Sequence, residues 1–503
     1  MRKLFLVFLP VLLYLPKEKN DYDTIIRHAQ VYDGSGGDAI SADIGIIADT
    51  IAFVGDLEHA SAKTDVNGRG LILSPGFIDT HSHHAGGLFE HRDLLAAVSQ
   101  GLTTIVTGQD GESNFPLATF FQQVSDTPVA INIGSYCGHN TIRDIVLAKD
   151  FKRVATAGEI EQMKLMLRQD MQAGALGLST GLEYDPGIYS SNDEVLQLAK
   201  EVAPYGGRYI SHIRSEDRYF WKAIDEIINI GKVANIPVQI SHIKLAMHNL
   251  WGKSDSLLAL LDNARKTGVK VTSDIYPYAF WHSTIRVLFP GRNFSDEKEA
   301  ETILTEITLP EDIILSSYEI QREYEGKSLA TIARLENKTP ARMLTELIAR
   351  IEKFENENKR SCDEGILATS MDETDIKKLM SWPQANICSD GSSFGGHPRG
   401  FGAFTKVLGH YTGEEKTFTL QEAIYKMTGL SAEHMGMKRR GFIRKGYYAD
   451  LVLFDSNKVS DKATVAEPHK ISEGIEIVWV NGKQVFNHGK TTGIFPGAII
   501  KRQ

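Results

Sequence analysis

Cysteine is scarce in this chain. Cys137, Cys362 and Cys388, in 503 residues, are too few and too scattered for a disulfide framework or a Cys-x-x-Cys zinc site. The fold therefore does not rest on sulfur. Positive charge is also short. Lys and Arg total 55 against 64 Asp and Glu, and the formal charge of -9 argues against nucleic acid as a partner. Long apolar runs are missing except for residues 4–15, interrupted by Pro10, which rise about 18 Å as a helix. A hydrocarbon core of roughly 30 Å needs more, so no transmembrane span is expected. Behind Arg2 and Lys3 this run resembles a signal peptide over residues 1–20, which implies export to a periplasm or the medium. Leu15-Pro16-Lys17 lacks the small residues of a usual cleavage site, which leaves a cytoplasmic location as the alternative. Internal repeats and low-complexity tracts are absent. With 42% apolar and 24% charged residues the chain is of ordinary globular composition, long enough for one large barrel with attachments.

From Asp21 onward, short alternating segments near 24–26, 30–32, 44–47 and 51–55 predict a small antiparallel sheet. The pattern returns at 449–454 and 476–486, where Asn481-Gly482 marks a hairpin turn. Both chain ends, 21–74 and 436–503, are expected to build one β-sandwich. Between them, over 75–435, β-rich runs alternate with amphipathic helical stretches, the pattern of repeated βα units and a parallel sheet. Strands are expected at 76–81, 103–107, 130–134, 175–179, 208–212, 238–242, 270–274 and 385–390. These predict an α/β fold, a TIM-like (β/α)8 barrel. About 110 residues separate the last two strands, far beyond a βα connection. An inserted subdomain is therefore expected at 288–365, with a long helix over 340–360 whose charged end, 353–360, reads as solvated.

Residues i and i+2 of a strand project to one side, so His81 and His83 can reach one ion at the barrel mouth. The neighbouring His84 leaves the partner of His81 ambiguous. His212 ends the fifth strand, His242 the sixth and Asp390 the eighth, all where barrel active sites form. Imidazole and carboxylate ligands without thiolate suit Zn²⁺, in one or two ions, and less tightly Mn²⁺, Co²⁺ or Fe²⁺. Cys388, next but one to Asp390, is expected to pack deeper in the barrel.

The run Pro75-Gly76-Phe77-Ile78-Asp79-Thr80-His81-Ser82-His83, the single histidines ending strands five and six, and Ser389-Asp390 at strand eight resemble the amidohydrolase superfamily. Gly138-His139-Asn140, Gly177-Leu178-Ser179-Thr180-Gly181, Ser211-His212-Ile213-Arg214, Ser241-His242-Ile243-Lys244, Asp274-Ile275-Tyr276-Pro277-Tyr278 and His397-Pro398-Arg399 are similar to the N-acyl-D-amino-acid deacylases, or D-aminoacylases. The resemblance runs from about residue 22 to the end. It implies a barrel of the metal-dependent hydrolase type. His81, His83 and Asp390 would face one metal, and His212 and His242 the other, with Asp390 also handling protons. It further implies that Tyr184, Lys244, Arg399 and Tyr276 or Tyr278 hold the substrate carboxylate, a group that suits a guanidinium fork, an ammonium and phenols. The chain departs from the family at one place: where these deacylases carry a bridging cysteine in a Gly-Asn-Cys-Gly turn, it has Gly108-Gln109-Asp110-Gly111. Asp110 is the expected substitute ligand, and Glu183 the alternative.

These residues imply hydrolysis of the amide of a small N-acylated amino acid of D configuration, the handedness resting on the resemblance alone. Asp390 would act as general base and then acid, and His139 or His282 would donate to the oxyanion. The competing readings are a dipeptidase, cyclic amide hydrolase or carbamate hydrolase on the same site, and a metal-poor binding protein. The oligomeric state stays open.

Overall fold

The computed structural model describes residues 21–502. The signal-peptide reading of 1–20 falls outside the described residues. Among those described, no helix is long and apolar enough to cross a membrane.

The parallel strands form two arcs. One holds Phe77–Asp79, Leu102–Thr107 and Asn132–Ser135, all paired in parallel. The other runs from Cys137–Gly138 through Gly177–Gly181, Arg208–His212, Val238–Ile240 and Val271–Ile275 to Ala385–Ile387. At one junction Asn132–Ser135 runs into Cys137–Gly138 with only Tyr136 between them. At the other, Ser82 bridges Gly391 in parallel, and the Asp390 amide donates to the His81 carbonyl at 2.9 Å. The strands are buried on both faces, as in 102–107, where the threonines are buried along with Leu102, Ile105 and Val106. Ile105 and Ile133 of one arc share a core with Leu178, Val238 and Ile387 of the other.

Helices return the chain between strands, and local chemistry sets their limits. Ala157–Ala173 opens on a reciprocal capping box between Thr156 and Glu159, then ends at Gly174 in the left-handed region. Pro340–Asn358 starts with a Thr339 cap and proline in the first turn, where a missing N–H costs nothing. Its buried face is Met343, Leu344, Leu347, Ile348 and Ile351, the helical spacing read from the sequence. It stops at Lys359 (φ 56°), so its charged end is short of 360. This helix belongs to an insertion built on an antiparallel sheet of Phe280–Ser283, Glu364–Thr369 and Ile313–Tyr318. This sheet reaches outside 288–365 on both sides, because Phe280–Ser283 pairs antiparallel with Glu364–Thr369.

Both chain ends enter one nine-stranded sheet, in which Leu451–Phe454 pairs antiparallel with Ile72–Pro75. Its predicted hairpin is present: Asn481 (φ 46°) and Gly482 (φ 75°) link Ile475–Val480 to Lys483–Asn487 with the two positive φ angles of a twisted two-residue turn.

Candidate metal centre and active site

The strands deliver their ligand-type residues to one end of the arcs. His81 Nε2 lies 3.4 Å from Asp110 Oδ2 and 3.4 Å from Asp390 Oδ1. His83 Nε2 is 3.2 Å from each of the same two oxygens. His84 turns away, with Nδ1 3.0 Å from the Ser393 hydroxyl, so His83 is the partner of His81. The second oxygen of Asp110 faces the other way: Oδ1 lies 3.4 Å from His242 Nε2, which is 3.1 Å from His212 Nδ1. Asp110 thus stands between two histidine pairs, offering one oxygen to each. Its backbone (φ 53°) is left-handed, as are His242 (φ 34°) and Asp390 (φ 49°). Such conformations cost roughly 1–2 kcal/mol each and concentrate at functional sites. Gly111 makes the Asp110 turn possible, since a Cβ there would meet Asn140 Oδ1 at 2.3 Å.

Carboxylates back the second pair. Glu183 Oε2 is 2.9 Å from His212 Nε2, and Glu216 Oε1 is 3.1 Å from His242 Nδ1. The carboxylate behind His212 fixes the tautomer that leaves its inward Nδ1 free to bind a cation, whereas Nδ1 of His242 faces both Glu216 and the Lys244 ammonium. Glu183, the alternative ligand, thus meets His212 and is absent from the His81–Asp110–His242–Asp390 group. Glu216 escaped the sequence reading, although it stands four residues beyond a strand-end histidine. His212, His242 and Glu216 also come close enough to hold an ion, but Lys244 fills that place. Its ammonium lies 2.7 and 2.8 Å from the Glu216 oxygens and 2.7 Å from His242 Nδ1.

The electrostatics are those of an acidic cluster short of positive charge. Burial opposes protonation of His83, but Asp110 and Asp390 raise it to about 10. His242 is likewise raised to about 10, against burial and Lys244, by Glu216, Asp390 and Asp110. Burial pushes the Asp390 carboxyl up, yet Arg399, His242 and His81 hold it well below the usual carboxylate range. Both ring nitrogens of His81 and Oδ1 of Asp110 are buried without a hydrogen-bond partner. Buried polar atoms are normally satisfied, so these orphans, inside a His81–Asp110–His242–Asp390 group whose ligand atoms lie within 4.8 Å of one another, fit a metal cation.

The centre opens into a cavity of about 370 Å³, with Tyr184, Lys244, His282 and Arg399 in its wall. Tyr184 stacks near His212, ring centroids 4.4 Å apart. Arg399 directs Nη1 to Asp390 Oδ2 at 2.6 Å and lies over the Tyr276 ring at 4.7 Å. Its Nε and Nη2 have no hydrogen-bond partner among the described residues. The tyrosine alternatives separate. Tyr276 underlies Arg399, while Tyr278 packs beneath Lys406 with its ring 4.0 Å from that ammonium; neither is among the cavity-lining residues, and both hydroxyls are buried without a hydrogen-bond partner. Lys244 is in the cavity, with its ammonium facing Glu216 and His242. His282 bonds Ser316 at 2.9 Å, and burial lowers its pKa to about 4. His139 is a clear correction: its Nε2 is 2.9 Å from Glu194, which also binds buried Arg143, and it does not line the cavity. Sequence proximity to the strand end concealed that its ring faces the helix Asn192–Val202. Cys388 is buried with Sγ 3.4 Å from Asp274 Oδ1, a packed thiol and no ligand.

Residues 369–486 match the amidohydrolase family model. The D-aminoacylase of Alcaligenes xylosoxydans xylosoxydans is 32% identical over 96% of this chain and 99% of its own length. The N-acyl-D-aspartate deacylase of the same organism is 34% identical, over 95% of each chain. The solved N-acyl-D-glutamate deacylase of Bordetella bronchiseptica, complexed with zinc and a phosphonate mimic of the tetrahedral intermediate, superposes with a TM-score of 0.85. It is 31% identical and covers 95% of this chain and 99% of that one. With the strand-end histidines and Asp390 gathered as that chemistry needs, this chain belongs to the D-aminoacylase family of amidohydrolases.

Proposed function

We propose that the protein hydrolyses the amide bond of N-acyl-D-amino acids, releasing a carboxylic acid and a free D-amino acid. The observation that carries this reading is the position of Asp110, one oxygen toward His81 and His83 and the other toward His242, beside Asp390 and Arg399 in one cavity. His81, His83, Asp110 and Asp390 would hold one divalent cation, and Asp110, His212 and His242 a second. Zinc is the proposed metal, favoured by the imidazole-rich set and by the zinc in the D-glutamate deacylase structure. Bound there, the cation supplies a water acidified toward neutrality and polarises the scissile carbonyl.

The chain's own residues do the rest. Asp390, ionised at neutral pH, accepts a proton at its carboxylate and returns it to the leaving amine nitrogen. Water adds across the C–N bond, its hydroxyl to the acyl carbon to give the carboxylic acid and its remaining proton, by way of Asp390, to the leaving nitrogen to give the amine. Arg399, through Nε and Nη2, and Tyr184 hold the substrate α-carboxylate. Glu183 and Glu216 keep His212 and His242 in register, and Lys244 neutralises Glu216. His282 donates to the developing oxyanion from the insertion.

The two arcs are read as one closed (β/α)8 barrel over 75–435, supported by the shared strand at Tyr136 and the Ser82–Gly391 bridge. The nine-stranded sheet is read as a β-sandwich domain of 21–74 and 436–503, supported by a single core that joins Ile26 and Ile44 to Leu453 and Trp479. Residues 1–20 are read as an export signal, tested by N-terminal sequencing of secreted protein. The enzymatic reading is tested by elemental mass spectrometry of the purified protein together with assays on paired N-acetyl-D- and N-acetyl-L-amino acids. Bound metal with amine release from the D isomers supports it. Bound metal with turnover of neither isomer overturns the substrate.

A further inference from the structure

Identity alone does not choose among the substrates of the relatives, since the D-aminoacylase and the D-aspartate deacylase match this chain almost equally. The cavity does discriminate. Apart from its histidines, its wall contains two cations, Lys244 and Arg399, against seven carboxylates. Lys244 is committed to Glu216 and His242, and Arg399 already meets Asp390. An N-acyl-D-aspartate or D-glutamate brings two carboxylates. Arg399 can take the α-carboxylate, but no lysine or arginine in the wall is left for the second.

The wall also includes the apolar Val287 and Leu288, close in sequence to the Ile285 amide, the apolar Ile307, and a buried acid, Glu364. The Glu364 side chain is 2% exposed. Its Oε2 accepts from the Ile285 amide at 2.9 Å, while Oε1 is buried with no hydrogen-bond partner. Arg286 Nε is 3.9 Å from Oε1, beyond hydrogen-bonding distance, and the Arg286 guanidinium binds Glu355 through two contacts of 2.9 Å. Arg286 does not line the cavity. The position follows from the insertion sheet. His282 stands opposite Leu367, and Glu364 lies three residues further along the same strand, beside the Ile285 amide and Arg286. Glu364 therefore lines the cavity from the insertion.

We propose that Glu364 determines specificity: the substrate's amino-acid side chain runs along the apolar wall and ends at Glu364, so the enzyme prefers an apolar stem with a cationic end, as in D-lysine or D-ornithine, and rejects acidic side chains. A lysine-type side chain matches both parts, since its methylene stem packs on apolar surface while its ammonium meets a carboxylate. The ammonium supplies the donor that Oε1 lacks, and a carboxylate placed there meets like charge in a low-dielectric wall.

This inference rests on the proposed deacylase activity, and the test separates the two. The metal-loaded full chain and its Glu364→Gln variant are assayed for kcat/KM on Nα-acetyl-D-lysine, N-acetyl-D-leucine and N-acetyl-D-glutamate. The expected wild-type preference for lysine over glutamate is at least about 100-fold, falling at least about tenfold in Glu364→Gln. Because the lysine-to-glutamate ratio is taken within one preparation, partial misfolding of the variant lowers both rates and leaves the ratio intact. A wild-type ratio near unity or favouring glutamate overturns the proposal, as does a ratio unchanged by Glu364→Gln. Absence of turnover of all three substrates overturns the deacylase reading instead. Turnover of D-leucine with no charge preference overturns the specificity assignment alone.

Discussion

Asp110→Asn isolates the charge that stands between the histidine pairs. Asparagine keeps the size of the side chain and tolerates the left-handed backbone at φ 53°, so the turn between Gly108 and Gly111 should persist. What is lost is the carboxylate whose Oδ2 faces His81 at 3.4 Å and His83 at 3.2 Å and whose Oδ1 faces His242 at 3.4 Å. Removing a group that merely orients a metal ligand weakens metal affinity about 10- to 100-fold. A direct ligand shared by two ion positions should cost more than about 100-fold, and it should lower the retained metal as well as weaken it. The assay is chelator-competition titration of stripped and reloaded protein, with stoichiometry by elemental mass spectrometry. Asp110→Cys should restore zinc retention and give the cobalt-loaded protein a thiolate charge-transfer band, because a thiolate then takes the same place. Wild-type zinc stoichiometry and affinity in Asp110→Asn would refute the bridging position.

Four other outcomes follow from the geometry. Asp390→Asn should lower kcat by about 10²- to 10⁴-fold, the usual contribution of a positioned acid–base group, and a kcat within tenfold of wild type would remove Asp390 from proton transfer. Lys244→Met leaves Glu216 buried without its counter-charge and should destabilise the fold by about 3–5 kcal/mol in thermal or urea unfolding; a raised KM with unchanged stability would return Lys244 to the role of carboxylate anchor. His139→Gln should cost about 1–3 kcal/mol of stability through the Glu194–Arg143 network, with metal content and KM unaltered. Burial, reinforced by Glu355 and Asp363 and opposed by the Ile285 amide and Arg286, raises the Glu364 pKa to about 7. Its charge therefore appears as pH rises through 7, and the lysine-over-glutamate preference should grow between pH 6 and 8; a preference flat over that range counts against Glu364 as its source.

The strand-end residues were legible because their geometry is local. A histidine or aspartate ending a β-rich run in a βα repeat must lie near the carboxyl ends of neighbouring strands, and His81, His212, His242 and Asp390 do meet there. The hairpin at Asn481-Gly482 was readable for the same reason, since two successive positive φ angles are a property of the dipeptide. Pairings between distant segments were not. Nothing in Ser241-His242-Ile243-Lys244 shows that the ammonium meets Glu216, because that contact depends on how a loop 28 residues earlier folds back. His139 misled for the converse reason: it follows a strand, but as the first residue of the helix His139–Leu147 its ring turns to the helix Asn192–Val202. The reach of the insertion sheet outside 288–365 was not legible because Phe280–Ser283 becomes a strand only through its partner Glu364–Thr369.

The charge balance of the cavity ties these findings together. Among seven carboxylates, Glu216 is neutralised by Lys244, and Asp390 is met by Arg399. Asp110 has neither a lysine nor an arginine beside it, and the protein answers by raising the basicity of His83 and His242 until they hold protons at neutral pH. An imidazole that keeps its inward proton cannot bind a metal, so cations entering the centre must displace those protons and take over their charge. The same deficit accounts for the selectivity assigned to Glu364. Asp390 is already met by Arg399 and metal cations would balance Asp110, whereas Glu364, with Arg286 at 3.9 Å, keeps an unpartnered oxygen that a cationic substrate side chain can meet.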